Sequence, residues 1–431
     1  MAMMPQAKAG GADAPANARG LLILVIAVFF LFGGITNLND VLIPKLKGLF
    51  SLSYTQAMLV QFAFFTSYAI FSIPAGLLMQ RLGYFRGIVL GFAIMAGACL
   101  LFLPAANSGT FGAFLAALFM LGGGITLLQV AVNPLIITLG PPETAHSRLT
   151  FAQFFNSVGV FLMIRFGAEA ILGETSTVDP TTLSGEALTA FRVAETTVIG
   201  YSYVGLAIAL ALIAVFFWTR RAVIDGQQVE HVAVSGTFSL LRRPRLAFGC
   251  ACIFVYVGAE VSIASIMINY LELPRTLGAT TAAAGVLLSY YWLGALIGRM
   301  FGGFFLRLIR PGLVLAICAS VAIVLLGVSA LSNGNVSAWS IIAIGLFNSI
   351  MFPTIFSLAV EGLGSEAPKA SGLLCTAIVG GAIVPLLTGA VADAAGLSAS
   401  LVIPAVCYGV ITMFGVYVLR VNVLAPSSPQ S

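Results

Sequence analysis

The sequence predicts an all-α integral membrane protein of twelve transmembrane helices in two pseudo-symmetric six-helix bundles. Composition is the first reason: of 431 residues, 60% are hydrophobic and 8% charged, against about 25% charged in a soluble domain. Run length is the second. Apolar stretches able to cross about 30 Å of hydrocarbon, about 20 residues each, recur along the whole chain. They lack the alternation of barrel strands, so their backbone groups must be satisfied within helices. The third reason is an internal echo: GLLMQRLGYFRG from Gly76 and GGFFLRLIRPG from Gly302 each place an Arg five residues after a Gly, and AVNPLIITLG and IMFPTIFSLA place Pro134 and Pro353 alike. The offsets, 302 − 76 = 226 and 353 − 134 = 219, are close enough to imply a duplicated six-helix unit.

The first span, 20–43, is the run LLILVIAVFFLFGGI closed by TNLNDVLIP. It is long enough to remain in the membrane and no cleavage site follows it, so it is not read as a removable leader. Spans two and three, 57–79 and 84–105, flank the Gly76 loop, and span four, 110–139, carries GGGITLLQVAVNP. Arg165 and Glu169 interrupt span five, 149–172; their spacing makes them an ion pair on one helix face. Tyr201 and Tyr203 open span six, 197–219. The second half continues with 246–271, 281–306, 312–332, 337–360, 369–392 and 397–420. The charged segment 220–245 links an N-terminal bundle, 20–219, to a C-terminal bundle, 246–420, with tails 1–19 and 421–431.

An even number of spans puts both termini on one side. That side carries most of the twenty Lys and Arg, among them Arg81, Arg86, Arg220, Arg221, Arg242, Arg243, Arg245, Arg307 and Arg310, so both termini are expected in the cytoplasm. The opposite side holds Glu174, Asp179, Glu186 and Glu195 in one loop. The net charge of +5 thus reports topology, and no nucleic-acid partner is expected. The expected setting is a bacterial cytoplasmic (inner) membrane, crossed many times by a monomer. Six cysteines lie in or beside apolar spans without a CxxC; Cys250 and Cys252 point to different faces of a helix, which argues against a bridge or metal site and for small buried hydrophobes.

The polar residues inside the spans are patterned. Gly33, Asn37 and Asp40 share a face of span one; Gly122, Thr126, Gln129 and Asn133 form a stripe over three turns of span four; Gln153 and Asn156 share a face of span five. Such stripes must face the bundle interior or a wet cavity. Amides both donate and accept, as hydroxyls do, so the set suits a neutral ligand dense in OH groups. No basic residue stands on these stripes, which argues against an anionic substrate. A single amide of this kind is equally well explained as interhelical glue. In the second half Tyr256 and Glu260 share one face of span seven, and Ser262, Ser265 and Asn269 another; spacing leaves open which face meets the cavity. Tyr290, Tyr291 and Trp292 are candidate sugar-stacking rings or interfacial anchors. Asn348 takes the position of Gln129 when Pro134 is laid on Pro353, and Gly372, Gly380, Gly381 and Gly389 favour close helix contact and bending. Asp40 requires a compensating role, since an intramembrane carboxylate costs roughly 3 kcal/mol or more. That role is proton coupling, or else capping a polar break or pairing with Lys45 or Lys47. Glu260 is the second titratable candidate, for coupling or for gripping sugar hydroxyls.

GLLMQRLGYFRG, with Gly76, Arg81, Gly83 and Arg86, resembles the loop between the second and third helices of the major facilitator superfamily, with Gln80 where that family usually has Asp. Its glycines permit a tight turn and its arginines a state-dependent gating contact. TNLNDVLIP, LLQVAVNP, RLTFAQFFNSVG, YVGAEVSI, FPTIFSLAV and LTGAVADAAG, in this order over about 25 to 415, resemble the fucose, galactose and glucose proton symporter family within it. The resemblance implies alternating access around a midplane site, associates Asp40 with proton coupling, and associates Gln129 and Asn156 with sugar binding. The fucose branch carries an acid at the position of Gln129 and an amide at that of Glu260. The chain is therefore more similar to the glucose/galactose members, with the N-acetylglucosamine members close behind.

These readings combine into a secondary transporter that imports a neutral hexose with a proton. Fucose or N-acetylglucosamine as substrate, sodium as coupling ion, facilitated diffusion and drug export stay open, and no cofactor is expected. An intramembrane sugar transferase would need a convergent acid, base or metal cluster. The histidines, His146 and His231, lie in connections between spans, and no HExxH occurs.

Overall fold

Runs of Leu, Ile, Val, Phe and Ala without strand alternation coil into helices, and the computed structural model describes them over residues 18–138, 145–172, 182–219, 237–361, 363 and 366–424. The first half comprises α1 (Ala18–Phe50), α2 (Tyr54–Ala57), α3 (Leu59–Leu100), α4 (Phe102–Ser108), α5 (Phe111–Thr138), α6 (Ala145–Leu172) and α7 (Gly185–Thr219). The second comprises α8 (Pro244–Glu272), α9 (Thr281–Leu308), α10 (Pro311–Leu331), α11 (Gly334–Asn348), α12 (Met351–Val360), α13 (Ala367–Thr376), α14 (Gly380–Ala395), α15 (Leu397–Ser400) and α16 (Val402–Leu424). Ten described helices are long and apolar enough to cross a membrane, and α6 contributes the shorter apolar run Phe151–Gly167. The part of α3 before Gly83 supplies the remaining span.

Several ends differ from expectation. α1 runs to Phe50 rather than 43, and the cations it thereby takes in find partners beside the helix: Lys45 Nζ lies 2.9 Å from Glu195 and Lys47 sits over the Tyr54 ring. Ser53 then caps α2 in a reciprocal box with Gln56. Spans two and three form one continuous run, α3, with its direction changed at Gly83, whose φ of +79° and ψ of 163° are not helical. α7 starts at Gly185, well before the expected 197; Arg192 in its extra turns donates to Leu49 O and lies over Phe50. Span ten divides into α11 and α12, and span eleven into α13 and α14 through a 3-10 turn, Ala377–Val379, just before Gly380. The side chain of Glu169 lies outside the described residues, and so does the expected Arg165–Glu169 pair. Glu174, Asp179, Arg220 and Arg221 also lie outside them.

Lipid gives helices little hydrophobic reason to associate, so close packing over small residues carries much of the attraction. Gly159 of α6 meets α1 so closely that an added Cβ would lie 1.9 Å from Phe30 O, and Gly380 of α14 meets α8 in the same way, 1.9 Å from Phe254 O. The two seams correspond: 254 − 30 = 224 and 380 − 159 = 221, inside the range of offsets the sequence echo shows. The duplication therefore extends to packing: the seam of span five on span one is repeated by that of span eleven on span seven. Outward, α7 presents Ile208, Leu212, Val215 and Phe216, all exposed, along one face, as a lipid-facing helix does.

The halves also touch directly. At the end remote from the chain termini, Tyr54 N and Thr55 N donate to Asp393 Oδ1 and Oδ2 at 2.6 and 2.8 Å, and Thr55 Oγ1 donates to Oδ2 at 2.6 Å. Gly389, one turn earlier on α14, has the Thr55 and Tyr54 backbone 2.9 Å from its would-be Cβ. At the opposite end Arg243 pairs with Glu366 and Arg245 with Glu361, tying the start of α8 to the connection after α12.

Candidate functional site

Asp40 lies at the junction of α1, α3 and α8 and is almost wholly buried. Gln61 Nε2 donates to Asp40 Oδ1 at 2.9 Å and to Ser265 Oγ at 2.9 Å, while Ser265 Oγ donates to the same Asp40 oxygen at 3.3 Å. The carboxylate is thus held by one residue of its own half and one of the other. It does not pair with Lys45 or Lys47, whose partners are Glu195 and the Tyr54 ring. Neighbouring Asn39 is buried with neither side-chain polar atom bonded.

In the first half the amide stripes are half-buried. Asn37 Nδ2 donates to Gly33 O of its own helix at 3.0 Å, and Asn156 Nδ2 donates to Phe29 O at 3.0 Å. Both converge on Gly33, where an added Cβ would lie 2.3 Å from Asn156 Nδ2; glycine lets α6 bring its amide onto α1. Gln129 Nε2 donates to Tyr68 Oη at 2.9 Å, and Tyr68 stacks on Phe65. Asn133 Oδ1 is buried without a partner, and Gln153 is half-buried on α6 near Asn156. No described hydrogen bond joins the Gln129 group to the Asn37–Asn156 group.

The second half is more tightly bonded. Tyr256 Oη lies 2.8 Å from Glu260 Oε1 and 2.9 Å from Asn348 O. Asn348 Nδ2 donates to Tyr291 Oη at 2.8 Å, and Tyr408 Oη donates to Asn348 Oδ1 at 2.7 Å. Arg299 of α9 donates to Ser157 Oγ of α6, crossing between halves, and its charge acts on Glu260. The two polar faces of span seven are therefore both used: Ser265 turns to Asp40, while Tyr256 and Glu260 turn to Asn348 and Arg299.

Tyr290 does not join this network. It is 41% exposed and rests on Trp339, itself exposed, because consecutive helical residues point about 100° apart. Tyr291, fully buried, takes the inward position. Of the loop residues, Gly83 forms the turn; Arg81 is exposed, Arg86 is exposed with a partner, and Gly76 has open space around it. The sequence reading missed Gln61, Tyr68, Tyr408 and Arg299. Gln61 was findable, as an amide in the apolar run LVQFAFF. Arg299 was hidden among the basic residues that mark topology, and the tyrosines carry no signal separating packing from hydrogen bonding.

Chemically, this is a belt of amides, phenols and two carboxylates across both halves, suited to hydrogen-bonding a neutral ligand and to moving a proton. Comparison with known proteins bears on the family of the chain. The family model of the Major Facilitator Superfamily matches residues 24–378. The chain is 45% identical over 388 residues to a glucose/galactose transporter of Brucella abortus, covering 90% of this chain and 91% of that one. It is 34% identical over 402 residues to the L-fucose-proton symporter of Escherichia coli, covering 91% of each. The crystal structure of FucP in the outward conformation superposes with a TM-score of 0.71 at 31% identity, covering 93% of this chain and 99% of that one. A twelve-span duplicated helical fold and relatives that match it nearly end to end lead to one conclusion: this chain belongs to the Major Facilitator Superfamily and is a transporter rather than an enzyme.

Proposed function

We propose that the chain imports a neutral hexose of the glucose/galactose type together with a proton, by rocking of two halves, 20–219 and 246–420, joined by the linker 220–245. The observation that carries the reading is Asp40: a buried carboxylate bonded at once to Gln61 of its own half and Ser265 of the other. An ionised carboxylate only accepts hydrogen bonds, and a protonated one also donates. Proton binding there changes a contact between the very bodies that must move. The relatives support the substrate class, since the Brucella abortus protein at 45% identity bears the name glucose/galactose transporter and the Escherichia coli protein at 34% is named an L-fucose-proton symporter.

In this reading Asn37, Gln129, Asn133, Gln153 and Asn156 bind sugar hydroxyls. The bondless Asn133 Oδ1 and the half-buried Gln153 are groups a ligand would satisfy. Tyr256, Glu260 and Asn348 form the opposing wall, and Glu260 contributes a second titratable group. Gly76, Arg81, Gly83 and Arg86 serve the gate on the side of the termini, which is the cytoplasm of a bacterium. The unit of function is the monomer.

The test is uptake of labelled glucose, galactose, fucose and N-acetylglucosamine into proteoliposomes under an imposed pH or sodium gradient, with parent protein and Asp40→Asn. Glucose or galactose accumulation that follows the pH gradient and is lost in Asp40→Asn is expected. Full accumulation by Asp40→Asn refutes the coupling role, and accumulation driven by sodium alone refutes the proton. Uptake of none of the sugars refutes the substrate class.

A further inference from the structure

The two side chains bonded to Asp40, Gln61 and Ser265, have every donor engaged. The Gln61 amide has two N–H groups, and one goes to Asp40 Oδ1 and the other to Ser265 Oγ. The Ser265 hydroxyl accepts the amide and turns its single proton to the same Asp40 oxygen. The result is a closed ring of three side chains from α1, α3 and α8, and all three are buried. The chain neighbours Val41, Leu42 and Ile43 on α1 and Ala264 and Ile266 on α8 are each fully or almost fully buried, so the ring lies in a dry part of both helices. The titratable groups whose charge acts on or feels Asp40 are Glu260 on α8 and Tyr291 on α9; Lys45, the nearest cation along α1, is engaged by Glu195.

Two members of the ring belong to the first half and one to the second, so relative motion of the halves must break the bonds to Ser265 while leaving Gln61 on Asp40. A carboxylate oxygen taking two donors is matched to the ionised group; protonation weakens it as an acceptor and adds a donor the ring does not need. We propose that Gln61 and Ser265 are the positioning residues of the coupling carboxylate, holding Asp40 Oδ1 across the boundary between the halves so that its protonation and their separation are linked. Gln61 keeps the oxygen oriented in both arrangements, and Ser265 registers whether the second half is docked. This inference rests on the coupling role of Asp40.

The experiment measures, in proteoliposomes, the ratio of pH-gradient-driven sugar accumulation to sugar counterflow, since exchange needs no net proton movement, together with the pH profile of uptake. Ser265→Ala and Gln61→Leu are each expected to lower the ratio at least fivefold and to displace the pH profile, and Ser265→Thr, which keeps the hydroxyl, is expected to restore both. Thermal stability of the purified variants and the Thr rescue separate positioning from folding. If Asp40→Asn abolishes accumulation while Ser265→Ala and Gln61→Leu keep the parental ratio and profile, the positioning role is overturned and the coupling role stands. If Asp40→Asn accumulates sugar as the parent does, both fall.

Discussion

Replacing Gly389 with Ala tests how the two halves close at the end remote from the termini. The new Cβ would stand 2.9 Å from Thr55 N, Thr55 Cα and Tyr54 O, whereas carbon atoms prefer about 3.5–4.0 Å. The obstacles are backbone atoms, so no rotamer change relieves them, and α14 must withdraw from α2 by roughly 0.6 Å or more. Overpacking of this kind costs about 1–3 kcal/mol, and the helix propensity gained by Ala is shared by both arrangements. At about 1.4 kcal/mol per tenfold, the closed contact should lose roughly 5- to 150-fold in population. Withdrawal also parts Asp393 from Tyr54 N and Thr55 N, so hydrogen exchange of those two amides is the direct assay and should accelerate by a similar factor. Gly372→Ala is the control, because an added Cβ there meets nothing within 4 Å. Parental exchange at Tyr54 and Thr55 in Gly389→Ala, or equal acceleration in Gly372→Ala, refutes the reasoning.

Tyr291→Phe removes the acceptor of a fully buried Asn348 amide and should destabilise the protein by about 1–3 kcal/mol. Tyr290→Leu, on the exposed face, should stay within about 0.5 kcal/mol; thermal unfolding in detergent reads both. Gly83→Ala places a side chain at φ +79° and ψ 163°, a region almost confined to glycine, and should cost about 1–3 kcal/mol. Gly76→Ala, seven residues earlier inside α3, meets nothing and has helical backbone, so the same unfolding measurement should find it neutral or slightly stabilising.

The helices and the duplication were legible because hydrophobic length is a property of composition, and a repeat keeps its offset even where residues change. Helix ends were less so. A charge normally marks the end of a span, but Lys45 and Lys47 are absorbed by Glu195 and Tyr54, contacts made by residues remote in sequence. Intramembrane polarity pointed to Asp40, Asn156 and Asn348, since each is a rare residue type in its setting. It said nothing of whom they bond. That Asn348 sits between Tyr291 and Tyr408, or that Asp40 meets Ser265, depends on the angle at which helices from different halves cross, and periodicity within one helix carries no information on that angle.

The two halves share a fold but divide the chemistry. In the second half the donors and acceptors around Asn348 are committed to one another: its amide to Tyr291, its carbonyl to Tyr408, its backbone oxygen to Tyr256, which also holds Glu260. A network bonded this densely is stiffer than isolated side chains, and a ligand engages it by adding to or displacing one of its bonds. In the first half the amides are half-buried and weakly committed: Asn37 to its own helix backbone, Gln129 to one phenol, Asn133 Oδ1 to nothing. If sugar is bound through these amides, it is held by the first half and closed over by a preformed second half. The carboxylate that touches both, Asp40, then stands where the docking of the rigid half is felt, and a proton placed there acts on the joint between the halves rather than on the sugar.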